Sequence, residues 1–331
     1  MATLLLDRAQ LEVRTDGEAL ALYEAGHRRG TVPIRMIDRC VIHGMQTRLD
    51  SGVLLKLAEA GVTTALFSPR QGRRVATVLG PAHNDAAIRL AQAQRVMDAQ
   101  WCLQWSVSLM AAKLRRQRRV VAQWVACRPD ARKPLTDAAR QIDSLLTRVP
   151  AAVDAAALRG LEGAAARAQF SALASVLPPA LNFTGRNRRP PRDPANVALS
   201  LAYTLLHLEA VQACQAAGLD PLLGFHHRPA FGRESLASDL IEPLRPLAEM
   251  WVWERFRQRE LREDHFTEDR GACLLGKAGR ATFYATWQAG VRPARRWLRL
   301  AARHLARTLR QEGLAWVDPD PDDGEPMLEG A

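Results

Sequence analysis

A chain of 331 residues, 47% hydrophobic and 24% charged, is long enough for two ordinary domains and too apolar for a disordered polymer. Its 46 basic residues against 35 acidic ones leave a formal net charge of +11, which calls for an anionic partner, nucleic acid first and an acidic membrane surface second. No run approaches the roughly 18 uninterrupted apolar residues that span a bilayer, residues 1–7 lack the regions of a secretory signal, and the five cysteines form no C-x-x-C pair, so the expectation is a cytoplasmic protein with reduced thiols and neither zinc ribbon nor disulfide framework.

Residues 4–78 read mostly as strands, with short apolar runs broken by Asp16-Gly17 and Gly26. One helix interrupts them, with Ser51 as its N-cap, Val53, Leu54, Leu57 and Ala58 on one face, and Gly61 closing it. Residues 1–80 are thus predicted to form a small β-rich domain carrying one helix. At Gly80-Pro81 the texture changes to Ala, Leu, Arg and Gln at helical spacing. Helices are predicted over 84–127, 135–147, 154–176, 194–217, 235–262 and 293–311, several of them separated by proline breaks. The expected class is α+β, with a larger all-α domain over 84–313 and an acidic, disordered tail over 318–331.

Three acids stand out. A helix starting with Ser235 as N-cap would place Asp239 and Glu242 at i and i+3, both leaving one face among apolar neighbours, where two carboxylates need a cation or a proton between them. Pro243 lacks the N–H that the carbonyl of Asp239 would use, so a kink is predicted there. Glu162 lies between Gly160 and Gly163, read as glycines that permit close helix packing, and His226-His227 form a tandem pair. No H-E-x-x-H, EF-hand or P-loop spacing is present. Taken singly, each acid is more often exposed than a ligand, and the residues alone allow an acidic metal site without demanding one.

Two basic runs supply the other half of the reading. Lys113, Arg115, Arg116, Arg118 and Arg119 crowd a helix that also carries Trp101, Trp105 and Trp124. Arg292, Arg296, Arg299 and Arg303 recur at i, i+3 and i+4 along a second helix, interleaved with Trp297. Such faces can neutralise phosphates, although a solvated helix surface reads the same way.

Three ordered motifs resemble those of the integrase of CRISPR spacer acquisition, the CRISPR-associated protein one family. They are residues 158–167 around Glu162, the block from Phe183 and Gly185-Arg186-Asn187-Arg188-Arg189-Pro190-Pro191 to Tyr203, and Gly224-Phe225-His226-His227 followed by residues 235–246. Val32-Pro33-Ile34, Val41-Ile42-His43-Gly44 and residues 61–72 resemble the family's β-rich domain. Ser238, where the family usually has an apolar residue, and the extra His226 depart from the pattern.

The resemblance implies that Glu162, His227 and one or both of Asp239 and Glu242 hold Mg²⁺ or Mn²⁺, a metal that oxygen ligands and one imidazole suit. It implies attack by the 3′-hydroxyl of a short double-stranded DNA on a phosphodiester at the edge of a CRISPR repeat. Arg186, Arg188, Arg189 and Arg245 join the DNA-contacting cations near the site. The resemblance also implies a homodimer built largely through the β-rich domain, bridged by a small ferredoxin-like adaptation partner, with no membrane involved. A stand-alone nuclease acting on branched DNA and a non-catalytic DNA-binding scaffold are the alternatives.

Overall fold

The structure, a computed structural model, describes residues 2–7, 10–43, 46–67, 74–78, 85–187 and 190–317. The Gly80-Pro81 boundary, the tail over 318–331, and Arg188 with Arg189 lie outside the described residues.

The N-terminal part holds two four-stranded sheets. Strands β1 (Ala2–Leu6), β2 (Leu11–Asp16), β3 (Ala19–Glu24), β4 (His27–Pro33), β5 (Ile37–His43), β6 (Arg48–Leu49), β7 (Thr63–Phe67) and β8 (Arg74–Val78) pair in the orders β1-β5-β7-β8 and β4-β3-β2-β6. Between β6 and β7 runs helix α1 (Ser51–Glu59). Its cap is Asp50, whose carboxylate accepts from Val53 N at 2.8 Å, so the cap lies one residue before the predicted Ser51. Because strand side chains alternate, Cys40 and Ile42 of β5 enter a small core with Leu6, Val13 and Leu57, whereas Val41 faces the other way into the main core.

That main core belongs to helices α2 (Ala86–Met97), α3 (Ala99–Cys127), α4 (Arg132–Arg148), α5 (Ala155–Val176), α6 (Pro194–Ala216), α7 (Ser235–Ile241), α8 (Arg245–Arg257), α9 (Lys277–Gly290) and α10 (Arg292–Gly313). Helix α6 runs through its middle. It is long and apolar enough by composition to cross a membrane, yet 67% of that stretch is buried inside the protein. A buried ion-pair network joins the two parts: Glu209 of α6 accepts from Arg39 of β5 at 2.8 Å and from Arg295 of α10 at 2.9 Å.

Four expectations need correction. The helix predicted over 84–127 breaks at Asp98, whose carboxylate accepts from Trp101 N at 2.9 Å and so starts α3 afresh. The helix predicted over 235–262 divides into α7, a 3₁₀ turn at Glu242–Leu244, and α8. Proline is the cause: the carbonyl of Asp239 takes the N–H of Glu242, three residues on, in place of the missing donor at Pro243. Ser235 is the first residue of α7, and its hydroxyl donates to the carbonyl of Arg228 at 3.2 Å instead of capping. Finally, the helical part contains the hairpin of β9 (Phe266–Asp269) and β10 (Ala272–Leu275), with Arg270 and Gly271 at φ 51° and 77° in its turn, so it is not wholly α.

Candidate active site

Three separate stretches converge on one point. Glu162 comes from α5, Glu242 from the 3₁₀ turn after α7, and His226 from the loop before α7, with the ring of His227 beside it on Asp239. Glu242 is 3% exposed, and the Glu162 side chain retains 20% exposure.

A cation already sits between the two acids. Lys113 Nζ lies 2.7 Å from Glu162 Oε1 and 2.5 Å from Glu242 Oε2, and its residue is only 5% exposed. The expectation that Lys113 belongs with the phosphate-contacting residues is therefore corrected: it faces inward and is spent on carboxylates. The sequence carries a signal for this, because Lys113 falls four residues after Leu109 and four before Gln117, on the buried stripe of α3.

The charges reinforce one another. Burial opposes ionisation of Glu162, but the hydrogen bond to His226 and the Lys113 ammonium outweigh it and hold the carboxyl well below the usual range. Burial likewise opposes ionisation of Glu242, and Arg245 and Lys113 outweigh it together, with Glu162 acting against them. Lys113 is pushed up in turn: burial disfavours its charge, and the attraction of Glu242 and Glu162 prevails.

Asp239 has a different role from its neighbour three residues on. Fully buried, it accepts from the backbone N–H groups of Phe225 at 2.7 Å, His226 at 3.0 Å and His227 at 2.9 Å. His227 Nδ1 lies 2.7 Å from the same carboxylate, a contact in which the ring nitrogen donates, so Nε2 is the nitrogen turned away from Asp239. Asp239 therefore shapes the histidine loop and aims His227, while Glu242 alone of the pair meets Glu162 through the shared cation. Gly224 makes the loop possible, since a Cβ there would stand 2.6 Å from the backbone of Ser235. From the other side Trp101 and Trp105 of α3 pack edge-on against Phe225, with ring centroids 4.7 and 5.1 Å apart.

His226, 9% exposed, is the histidine that reaches Glu162, Nε2 standing 3.2 Å from Oε2. The two imidazoles lie 5.0 Å apart, centre to centre, and nearly perpendicular. Among the described residues no three His, Cys, Asp or Glu side chains are gathered as a metal centre; the shared position is held by Lys113. The glycines beside Glu162 do not serve close helix packing as expected. A Cβ at Gly160 would meet open space, and one at Gly163 only the tip of Arg167.

Deletion of the Asp239 carboxylate tests its role. Asp239→Ala strands three backbone donors, at roughly 1–3 kcal/mol each when buried, so urea unfolding should show a loss of about 3 kcal/mol or more. An unchanged midpoint would contradict the loop-shaping role.

The remaining cations fall into two groups. Arg245 pairs with Glu242 at 2.8 Å and lies 4.8 Å above the ring of Tyr203, while Arg186 donates to the side chains of Asn196 at 2.6 Å and Ser200 at 2.9 Å. These two brace the site from within. Tyr203 donates to Glu249 at 2.6 Å, and burial raises the Glu249 carboxyl although bonds from Tyr203 and Gln169 partly offset it. The second group faces solvent: Arg115 on α3, and Arg292, Arg296, Arg299 and Arg303 along α10. Arg116 connects the groups, donating to the carbonyl of Pro243 at 3.1 Å while its guanidinium lies 4.7 Å from the ring of Trp297 on α10.

A β-rich unit joined to a helical unit, with an acid pair bridged by a lysine, a histidine loop, and a solvent-facing row of arginines on α10, defines a two-part protein. Residues 4–289 match the family described as CRISPR associated protein Cas1. The chain is 33% identical over 94% of its length to the CRISPR-associated endonuclease Cas1 1 of Thermodesulfovibrio yellowstonii, of which it covers 98%. It therefore belongs to the Cas1 family. Among solved structures it resembles a casposase bound to integration product, with a TM-score of 0.81 at 20% identity over 94% of this chain and 91% of that one. It also resembles a chain of a Cas6-RT-Cas1–Cas2 complex, with a TM-score of 0.77 at 23% identity, covering 94% of this chain and 35% of that one.

Proposed function

We propose that this protein is a metal-dependent DNA integrase and endonuclease that inserts short duplexes into a CRISPR array, the 3′-hydroxyl of the incoming end attacking a phosphodiester of the repeat. The observation that carries this reading is the convergence of Glu162 and Glu242 on a single cationic atom, Lys113 Nζ. Two carboxylates drawn from segments 80 residues apart and aimed at one cation form a donor set that fits Mg²⁺ or Mn²⁺. Family membership and the names of the relatives, an endonuclease and a casposase with its integration product, point the same way.

Glu162, Glu242 and His227 would hold the metal, with Asp239 acting through His227 and His226 orienting Glu162. Bound there, a divalent cation supplies charge for the developing oxyanions and a lowered pKa for the attacking hydroxyl. The chain's own residues do the rest. Arg245, fixed between Glu242 and Tyr203, keeps a positive charge beside the acids, and the arginine row of α10 offers the phosphates an anchoring surface. No covalent protein intermediate is needed. A homodimer formed through the β-rich unit, and a small ferredoxin-like adaptation partner bridging two such dimers, complete the assembly we infer.

A strand-transfer assay tests the reading. With labelled duplex, a repeat-bearing target, Mn²⁺ and the adaptation partner, products longer than the input strand are expected, and a chelator should abolish them. Only shortened strands would favour hydrolysis of branched DNA, and no metal-dependent product at all would overturn the reading.

A further inference from the structure

The proposed function leaves one feature of the site unexplained. Its cation position is filled by a residue of the chain, and Lys113 contacts the same two acids that a metal would need. Neither party can share the gap: an ammonium 2.7 and 2.5 Å from the two oxygens excludes a second cation from between them.

We propose that Lys113 is a resident counter-cation that holds the acid pair together in the metal-free protein and must be displaced for a divalent ion to bind. This rests on the assignment of Glu162 and Glu242 as ligands. Two ionised carboxylates whose side chains are 20% and 4% exposed repel each other and lose hydration; Arg245 meets Glu242 at 2.8 Å, whereas the Lys113 ammonium touches both acids and so draws the two segments together. Lys113 removes that penalty from the middle of α3, whose burial on both sides of it, by Met110 and Leu114, fixes the start of the side chain.

The same tether makes the lysine a competitor. A metal meets a binding-competent site only in the fraction of molecules from which the ammonium has withdrawn, and its apparent affinity falls by that fraction. Withdrawal is open to lysine as it is not to arginine, because its four-carbon stem carries a compact charge with freely rotating donors. The consequence is selectivity. A monovalent ion gains no charge by replacing an ammonium, whereas a divalent one does, so Lys113 sets a threshold that Mg²⁺ or Mn²⁺ can pass and Na⁺ or K⁺ cannot.

The test is calorimetric titration of Mn²⁺ into the wild type, Lys113→Met and Lys113→Arg, with thermal melting of each protein alongside. Lys113→Met should melt lower than the wild type without metal, bind Mn²⁺ on the order of tenfold more tightly or better, and gain more thermal stability from it. Lys113→Arg, which keeps a cation in place, should bind no more tightly than the wild type. A residue that merely supports the fold would lower the melting temperature without improving Mn²⁺ affinity. Should Lys113→Met not fold, Lys113→Gln retains hydrogen bonding without charge and carries the same expectation. If the wild type binds one Mn²⁺ and neither neutral variant binds it more tightly, the displacement proposal is overturned and the metal assignment stands. If no protein binds Mn²⁺, both fall together.

Discussion

Replacing Glu162 by alanine is expected to abolish strand transfer while leaving duplex binding nearly intact. Removing one of two carboxylates that define the cation position forfeits several kcal/mol of transition-state stabilisation, a loss on the order of 10³-fold in rate. Binding should follow a different course, because Glu162 is an anion and repels phosphate. Its Lys113 partner still has Glu242 at 2.5 Å, so the variant does not leave a buried ammonium alone. Strand transfer by gel and duplex affinity by fluorescence anisotropy, measured on the same preparation, separate the two effects. Equal loss of both would remove Glu162 from the chemistry and return it to the fold.

The second large effect concerns affinity. Arg292, Arg296, Arg299 and Arg303 are exposed along α10, while Arg295 in the same stretch turns inward to Glu209 at 2.9 Å. If each exposed arginine neutralises one phosphate, the quadruple alanine variant should lower the slope of log affinity against log salt by about 3.6, at roughly 0.9 per contact. Near 0.1 M salt this amounts to about a decade per contact, or a drop on the order of 10³-fold or more in duplex affinity. The fold should tolerate the change, since α10 is anchored by Leu298, Ala302, Leu305 and Leu309 on its opposite, buried face. A variant whose salt slope matches the wild type would place the DNA elsewhere.

Much of this arrangement could be read before the structure. The acids and the histidine loop were visible as motifs because their neighbours are special: Gly224 for a close approach to Ser235, Pro243 for the break that turns Glu242 inward. Spacing could not separate Asp239 from Glu242. At i and i+3 they look equivalent, and only the path of residues 225–227 decides that one receives three amides and the other an ammonium. Lys113 sits in a run whose charge density points to DNA, yet helical phase decides its environment: Arg115 and Arg119 are exposed, and Lys113 falls on the buried side of the same helix. The hairpin of β9 and β10 and helix α9 went unpredicted for a related reason. Each is short, and α9 holds Gly279, whose missing Cβ would fall 2.5 Å from Leu275 and 2.9 Å from His265, so close packing there replaces the apolar periodicity that reveals a helix.

The assignment of Glu162 and Glu242 as metal ligands is tested by locating the metal itself. Crystals grown with Mn²⁺ and examined by anomalous scattering should show one strong peak at about 2.1–2.2 Å from carboxylate oxygens of Glu162 and Glu242, within reach of His227 Nε2 and with the Lys113 ammonium moved aside. A peak held by other residues, or saturating Mn²⁺ with no peak between those two acids, would contradict it.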